Sequence, residues 1–173
     1  MTEIELEKTY LAKELPVGIL ECPFKEIVDI YVPESVEHAI LRLRKKGDNY
    51  EITKKTPISG SDSSEQTEHT IKLTPEEYES LARGGGKKVR KYRYYYNKDG
   101  RQAEVDVFKD ELEGLVVIDF EFSEVADKDN FEMPDFCLAD VTQDKIFAGG
   151  MLCGKKYSDI EPRLNELGYK KIK

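Results

Sequence analysis

The chain has 173 residues, with 27 lysines and arginines against 35 aspartates and glutamates, a formal net charge of -8. Charged residues make up 36%, apolar residues 39%, and tryptophan is absent. That length supports one domain whose core needs no disulfides, and the acidic balance argues against a general nucleic-acid binder, which wants a basic surface. No apolar run approaches the roughly 18 residues of a membrane helix. The start, MTEIELEKTY, lacks the basic head and apolar stretch of a secretory signal. Cys22, Cys137 and Cys153 are odd in number and, with His38 and His69, match no zinc spacing. Reduced thiols in a cytoplasmic protein are therefore expected.

Period-two alternation predicts a first strand over 3–10, where Glu3, Glu5, Glu7 and Thr9 alternate with Ile4, Leu6, Lys8 and Tyr10. A second covers 26–32 and is closed by Pro33. The third and fourth, about 39–45 and 49–55, flank a Lys-Lys-Gly-Asp-Asn turn. A polar loop over 58–66 leads to a strand at about 66–72. Thr74-Pro75-Glu76-Glu77 then reads as a helix start with a capping box, and Gly84 to Gly86 as its stop. Residues 88–96 and 102–108 form a hairpin across Asn97 to Gly100, and 114–123 is the most apolar strand. Beyond Glu124 the pattern turns helical and irregular, with a last helix from Ser158 to Gly168. About eight antiparallel strands with few helices describe a mainly β (α+β) chain, a barrel or a sandwich.

Several strands carry like charges two residues apart, which places both on one face. The acidic pairs are Glu5 with Glu7, Glu104 with Asp106, and Asp119 with Glu121; the basic pairs are Arg42 with Arg44, and Lys91 with Arg93. Any one pair fits a solvated exterior. The set is segregated by sign, which predicts mutual repulsion that a bound ion would relieve, in place of cross-strand salt bridges. Carboxylate clusters suit a hard cation such as Mg²⁺ or Mn²⁺, and arginine or lysine pairs suit phosphate oxygens.

The ordered set resembles the CYTH domain of the triphosphate tunnel metalloenzyme superfamily. The resemblance begins at Glu5-Leu6-Glu7-Lys8-Thr9 and continues through Leu41-Arg42-Leu43-Arg44, Thr53-Lys54-Lys55-Thr56-Pro57, and Glu68. It then runs through Lys91-Tyr92-Arg93-Tyr94, Glu104-Val105-Asp106-Val107-Phe108 and Asp119-Phe120-Glu121-Phe122. It implies one domain over 1–173: an eight-stranded antiparallel barrel over about 3–123, enclosing a tunnel, and a helical region over about 124–173. It further implies metal-dependent cleavage of a small-molecule triphosphate, with no nucleic-acid or membrane partner; a homodimer is compatible with it. Glu5, Glu7 and Thr9 would be catalytic, Thr9 standing where the family has lysine. Arg42, Arg44, Lys55, Lys91, Arg93 and Lys155 would hold the phosphates, with Lys145 and Lys156 as alternatives to Lys155. Glu5, Glu7, Glu68, Glu104, Asp106, Asp119 and Glu121 would hold Mg²⁺ or Mn²⁺. Closure of ATP to cyclic AMP is the family's second chemistry, and binding without turnover is a third reading because of Thr9.

Two motifs mislead. Gly149-Gly150-Met151-Leu152-Cys153-Gly154-Lys155-Lys156 nearly spells a phosphate-binding loop, but its last position is lysine and no βαβ unit flanks it. The run Lys91 to Tyr96 could stack on single-stranded nucleic acid, a reading that the net charge of -8 opposes.

Overall fold

The computed structural model describes residues 2–173. Strands β1 (Thr2–Ala12), β2 (Phe24–Val32), β3 (Leu41–Lys46), β4 (Asn49–Pro57) and β5 (Glu65–Leu73) precede helix α1 (Pro75–Ala82). Strands β6 (Lys87–Lys98), β7 (Arg101–Phe108) and β8 (Val116–Phe122) follow. The strands run in the order β5-β4-β3-β2-β6-β7-β8-β1, and β1 also pairs with β5, so the sheet closes into an eight-stranded antiparallel barrel. Closure leaves only short stretches of edge where β1 and β5 part. The β6–β7 turn needs positive φ at both central positions, 54° at Asp99 and 79° at Gly100, which an Asp-Gly pair supplies.

The last fifty residues are not wholly helical. Between α2 (Val125–Asp129) and the short helix α3 (Gly149–Leu152) lies a ninth strand, β9 (Cys137–Asp140), before α4 (Tyr157–Glu166). β5 pairs with β1 only from Thr2 to Leu6, and β9 takes up the vacated edge at Tyr10 to Ala12. Four residues without clear alternation carry too little periodic signal to predict such a strand.

Alternation decides what each wall faces. Leu6, Tyr10, Val105, Ile118 and Phe120 point outward from β1, β7 and β8, where Phe131 and Phe136 of the tail cover them. Ile30 and Leu43 point outward under Tyr78 of α1. Helix α1 begins with the predicted capping box: the Thr74 hydroxyl accepts from the Glu77 amide, and the Glu77 carboxylate accepts from the Thr74 amide. At one end of the barrel the inward positions are apolar: Leu11, Tyr31, Val89, Phe108 and Val117 pack against Phe147, Leu152, Ile160 and Leu164. The lumen is therefore stopped at that end by α3, α4 and the chain between them. The near phosphate-loop motif is part of this stopper. A Cβ at Gly149 would collide with the Tyr31 hydroxyl, and one at Gly150 with the Ala39 carbonyl, so both glycines serve close approach.

Candidate functional site

Above the stopper, the inward positions of the strands are charged. Residues 5, 7 and 9 of β1, 42 and 44 of β3, 55 of β4, 91 and 93 of β6, 104 and 106 of β7, and 119 and 121 of β8 follow the parity that the sequence indicates. Lys55, not Lys54, faces inward, where it meets Glu5 and Glu68. Lys8 faces outward and lines a separate cleft of about 690 Å³ with Lys128, Thr142 and Lys145. A cavity of about 440 Å³ at the unstopped end is bordered by Arg101, Glu104, Glu121 and Asp127.

The expected absence of cross-strand salt bridges is overturned. Charges are segregated by sign along each strand, but register sets opposite signs face to face: Arg93 opposes Asp106, Arg44 opposes Asp29, and Lys55 opposes Glu68. Asp106 accepts from Arg93 Nε and Nη2, both at 2.7 Å, and from Lys91. Arg93 also meets Glu104, and Asp119 at 3.4 Å. Burial opposes the charge on Asp106, yet Arg93 and Lys91 hold its carboxyl well below the usual range. Burial lowers Lys91, Arg93 and Arg44 add to that, and Asp106 only partly compensates.

Three carboxylates are arranged differently. Glu5, Glu7 and Glu121 each offer an oxygen within 4.8 Å of the others. Burial, then Asp119 and Glu5, push Glu7 up to about 8. Burial, Glu104 and Glu5 raise Glu121 as well. Carboxylates crowded this way hold a proton unless a cation joins them. This oxygen-only set suits a hard divalent ion. Of the seven residues expected to hold metal, these three converge. Glu68 is instead bonded by Thr70 and Lys55, Glu104 and Asp106 by Arg93, and Asp119 by Thr9 and Arg93.

The Thr9 hydroxyl donates to Asp119 at 2.8 Å. Burial and Asp106 raise Asp119 to about 6, against the pull of Arg93 and Lys91. Among the cations, Arg42 stands apart. Its Nη1 donates to the Tyr31 hydroxyl at 3.4 Å, while its Nε is the one buried side-chain nitrogen or oxygen without a partner among the described residues. An orphaned donor in a lumen is suited to an acceptor oxygen arriving with a ligand. Lys155 is not drawn into the charged lumen by any hydrogen bond or ion pair among the described residues. It follows Gly154, which packs on Lys87, while Lys145 lines the outer cleft and Lys156 lies 3.9 Å from Glu111.

Sequence reasoning missed Asp29, which is 1% exposed and accepts from Arg44 Nε at 2.7 Å and Nη2 at 2.8 Å. An aspartate inside EIVDIYV, at a residue type depleted from strands, was the available signal. It also missed Lys128, buried against Ser64 and Glu65 where the outer wall meets α2.

No family model matches the chain. Among curated proteins it is similar to an inorganic triphosphatase of Nitrosomonas europaea, 31% identical over 146 residues, covering 83% of this chain and 92% of the relative. The chain belongs to the CYTH family of triphosphate tunnel proteins. A solved structure of an inorganic triphosphatase superposes with a TM-score of 0.63 at 26% identity, covering 87% of this chain and 95% of that one. A Bacillus halodurans structure described as a candidate adenylate cyclase shares the fold, with a TM-score of 0.55 at 14% identity over 99% and 94% of the two chains. Members of this family are generally divalent-metal dependent, and the Glu5, Glu7 and Glu121 oxygens fit such an ion. No helix among the described residues is long and apolar enough to cross a membrane.

Proposed function

We propose that this barrel hydrolyses a phosphoanhydride bond of a triphosphate, with inorganic triphosphate as the substrate and Mg²⁺ or Mn²⁺ at Glu5, Glu7 and Glu121. The observation that carries the reading is the charge balance of the lumen. Its inward carboxylates outnumber its lysines and arginines, and a three-oxygen group remains in which burial raises Glu7 and Glu121. A polyanion enters such a space only if positive charge comes with it. A divalent cation supplies that charge and neutralises phosphate oxygens as a Lewis acid.

The chain's own residues do the rest. Arg42 offers its unpartnered Nε, and Lys55 and Lys91 offer ammonium groups that can exchange a carboxylate for a phosphate oxygen. Phosphoryl transfer asks mainly for positioning and charge stabilisation. The stopper excludes bulk water from the inner end of the lumen. Asp119, near 6 and oriented by Thr9, is placed to take the proton that an attacking water gives up at neutral pH. The charged lumen is complete within one chain, so this activity does not require the homodimer that the sequence allows.

A phosphate-release panel over tripolyphosphate, ATP and thiamine triphosphate, with Mg²⁺ or Mn²⁺, tests the reading. Free phosphate from tripolyphosphate is the expected result. Pyrophosphate with cyclic AMP and no free phosphate would make the protein a cyclase, and binding without release would make it a binding module.

A further inference from the structure

Strand β2 separates the two basic strands, β3 and β6, and carries one inward carboxylate, Asp29. It sits deep in the barrel, opposite Val89 and one alternation from Tyr31, which packs against the stopper. Both its oxygens are taken up by Arg44, through Nε at 2.7 Å and Nη2 at 2.8 Å. Such a fork fixes the guanidinium in plane and direction, because two parallel bonds leave it no free rotation. What remains of Arg44 is Nη1, which no hydrogen bond or ion pair takes up among the described residues. Arg42, two residues away on the same face, has no carboxylate partner and an orphaned Nε. The two arginines, alike in the sequence, are therefore unlike in the fold.

We infer that Asp29 is a positioning residue for the triphosphatase reaction: it clamps Arg44 so that Nη1 alone meets the phosphate chain, and leaves Arg42 as the free grip. This inference rests on the triphosphatase reading given above. A clamped guanidinium contributes direction more than net attraction, because the carboxylate cancels much of its charge at a distance. Removing the Asp29 charge makes the deep lumen more positive, so ground-state binding of a polyanion does not weaken. The lost direction falls on the chemical step.

The test compares full-length Asp29→Asn, Arg44→Ala and the double variant with wild type, using tripolyphosphate and Mg²⁺. Asparagine keeps the size of aspartate and one acceptor oxygen. Expected for Asp29→Asn is a fall in kcat of about tenfold or more with KM unchanged or lower, per folded molecule as judged by circular dichroism. The double variant should be no worse than Arg44→Ala within about threefold, because the two residues act as one unit. A merely structural Asp29 would lower the melting temperature and leave kcat per folded molecule intact, and that result, or additive losses, overturns the inference. The clamp also has a readout that needs no activity. The Arg44 Nε–H should give a slowly exchanging ¹⁵N resonance, assigned by its loss in Arg44→Lys, and Asp29→Asn should speed its exchange by about tenfold or more. No such change overturns the clamp. Wild type that releases no phosphate from any triphosphate overturns the functional reading instead, and the resonance still decides the clamp.

Discussion

Two sides of the same lumen handle charge in opposite ways. Between β6 and β7, Arg93 touches Glu104, Asp106 and Asp119, and Lys91 adds to Asp106. Between β1 and β8, Glu5, Glu7 and Glu121 converge, with the Lys55–Glu5 pair as the one ion pair that any of the three makes among the described residues. The first side is neutralised by the fold itself and is part of what holds the barrel in register. The second is left short of positive charge, and it is the side that gains most from a ligand. Charged residues in a closed lumen thus divide into those that build it and those that wait for something.

The sharpest way to break this comparison is Arg93→Ala. On sequence alone, Arg42→Ala and Arg93→Ala are equivalent losses of one phosphate contact. In the fold, removing Arg93 leaves buried Glu104 without an ion-pair partner, Asp106 with Lys91 alone and Asp119 with the Thr9 hydroxyl alone. Breaking a buried pair from one side costs about 3–5 kcal/mol, which for this size of chain lowers the melting temperature by roughly 10 °C. Scanning calorimetry checks it; a melting temperature within a degree or two of wild type would show that the β6–β7 pairs are not structural.

Arg42→Ala should do the reverse. It removes an unpartnered Nε and one long hydrogen bond to the Tyr31 hydroxyl and strands no carboxylate, so the barrel stays folded while tripolyphosphate affinity falls about ten- to a hundredfold, one charge-assisted bond's worth. Titration calorimetry in Mg²⁺ measures that directly, and unchanged affinity would take Arg42 out of the grip.

The third test sharpens the other side. Glu7 is raised in the fold from 4.5 to about 8, so between those values the folded chain holds a proton that the unfolded chain releases. Metal-free stability therefore declines as pH rises through that window. A divalent cation must displace the proton, so its stabilising effect grows with pH until about 8 and then levels off. Melting curves with and without Mn²⁺ at a series of pH values should diverge upward, and Glu7→Gln should flatten the divergence. A cation effect independent of pH would remove Glu7 from the metal set.

The smallest effects belong to β1. Thr9→Lys places an ammonium beside Asp119, which is near 6 because of burial and Asp106. The added charge favours the ionised carboxylate, so the acid limb of the turnover profile should move to lower pH and activity at pH about 5.5 should rise severalfold. Lys8→Ala should leave turnover within about twofold, since its side chain lies in the outer cleft. A large loss at Lys8 with none at Thr9 would reverse the assigned facing of the whole strand.

Much of this was legible from one strand at a time. Parity along Glu5, Glu7 and Thr9, or along Lys91 and Arg93, gives the inward faces because side chains alternate at each residue. What parity cannot give is the partner, which depends on register between strands distant in the chain. Thus the face of Asp106 was readable and its enclosure by Arg93 was not. Asp29 hid for a related reason: a single carboxylate in an apolar run forms no pair, and only Arg44 across β3 gives it a purpose. Lys128 looks like any solvated lysine until the chain folds Ser64 and Glu65 over it.

The apolar stopper makes the barrel a cul-de-sac. Whatever goes in must come out by the door it used, so the fragments of a cleaved triphosphate would share one exit. A chain much longer than the barrel is deep can offer only its tip, never its middle.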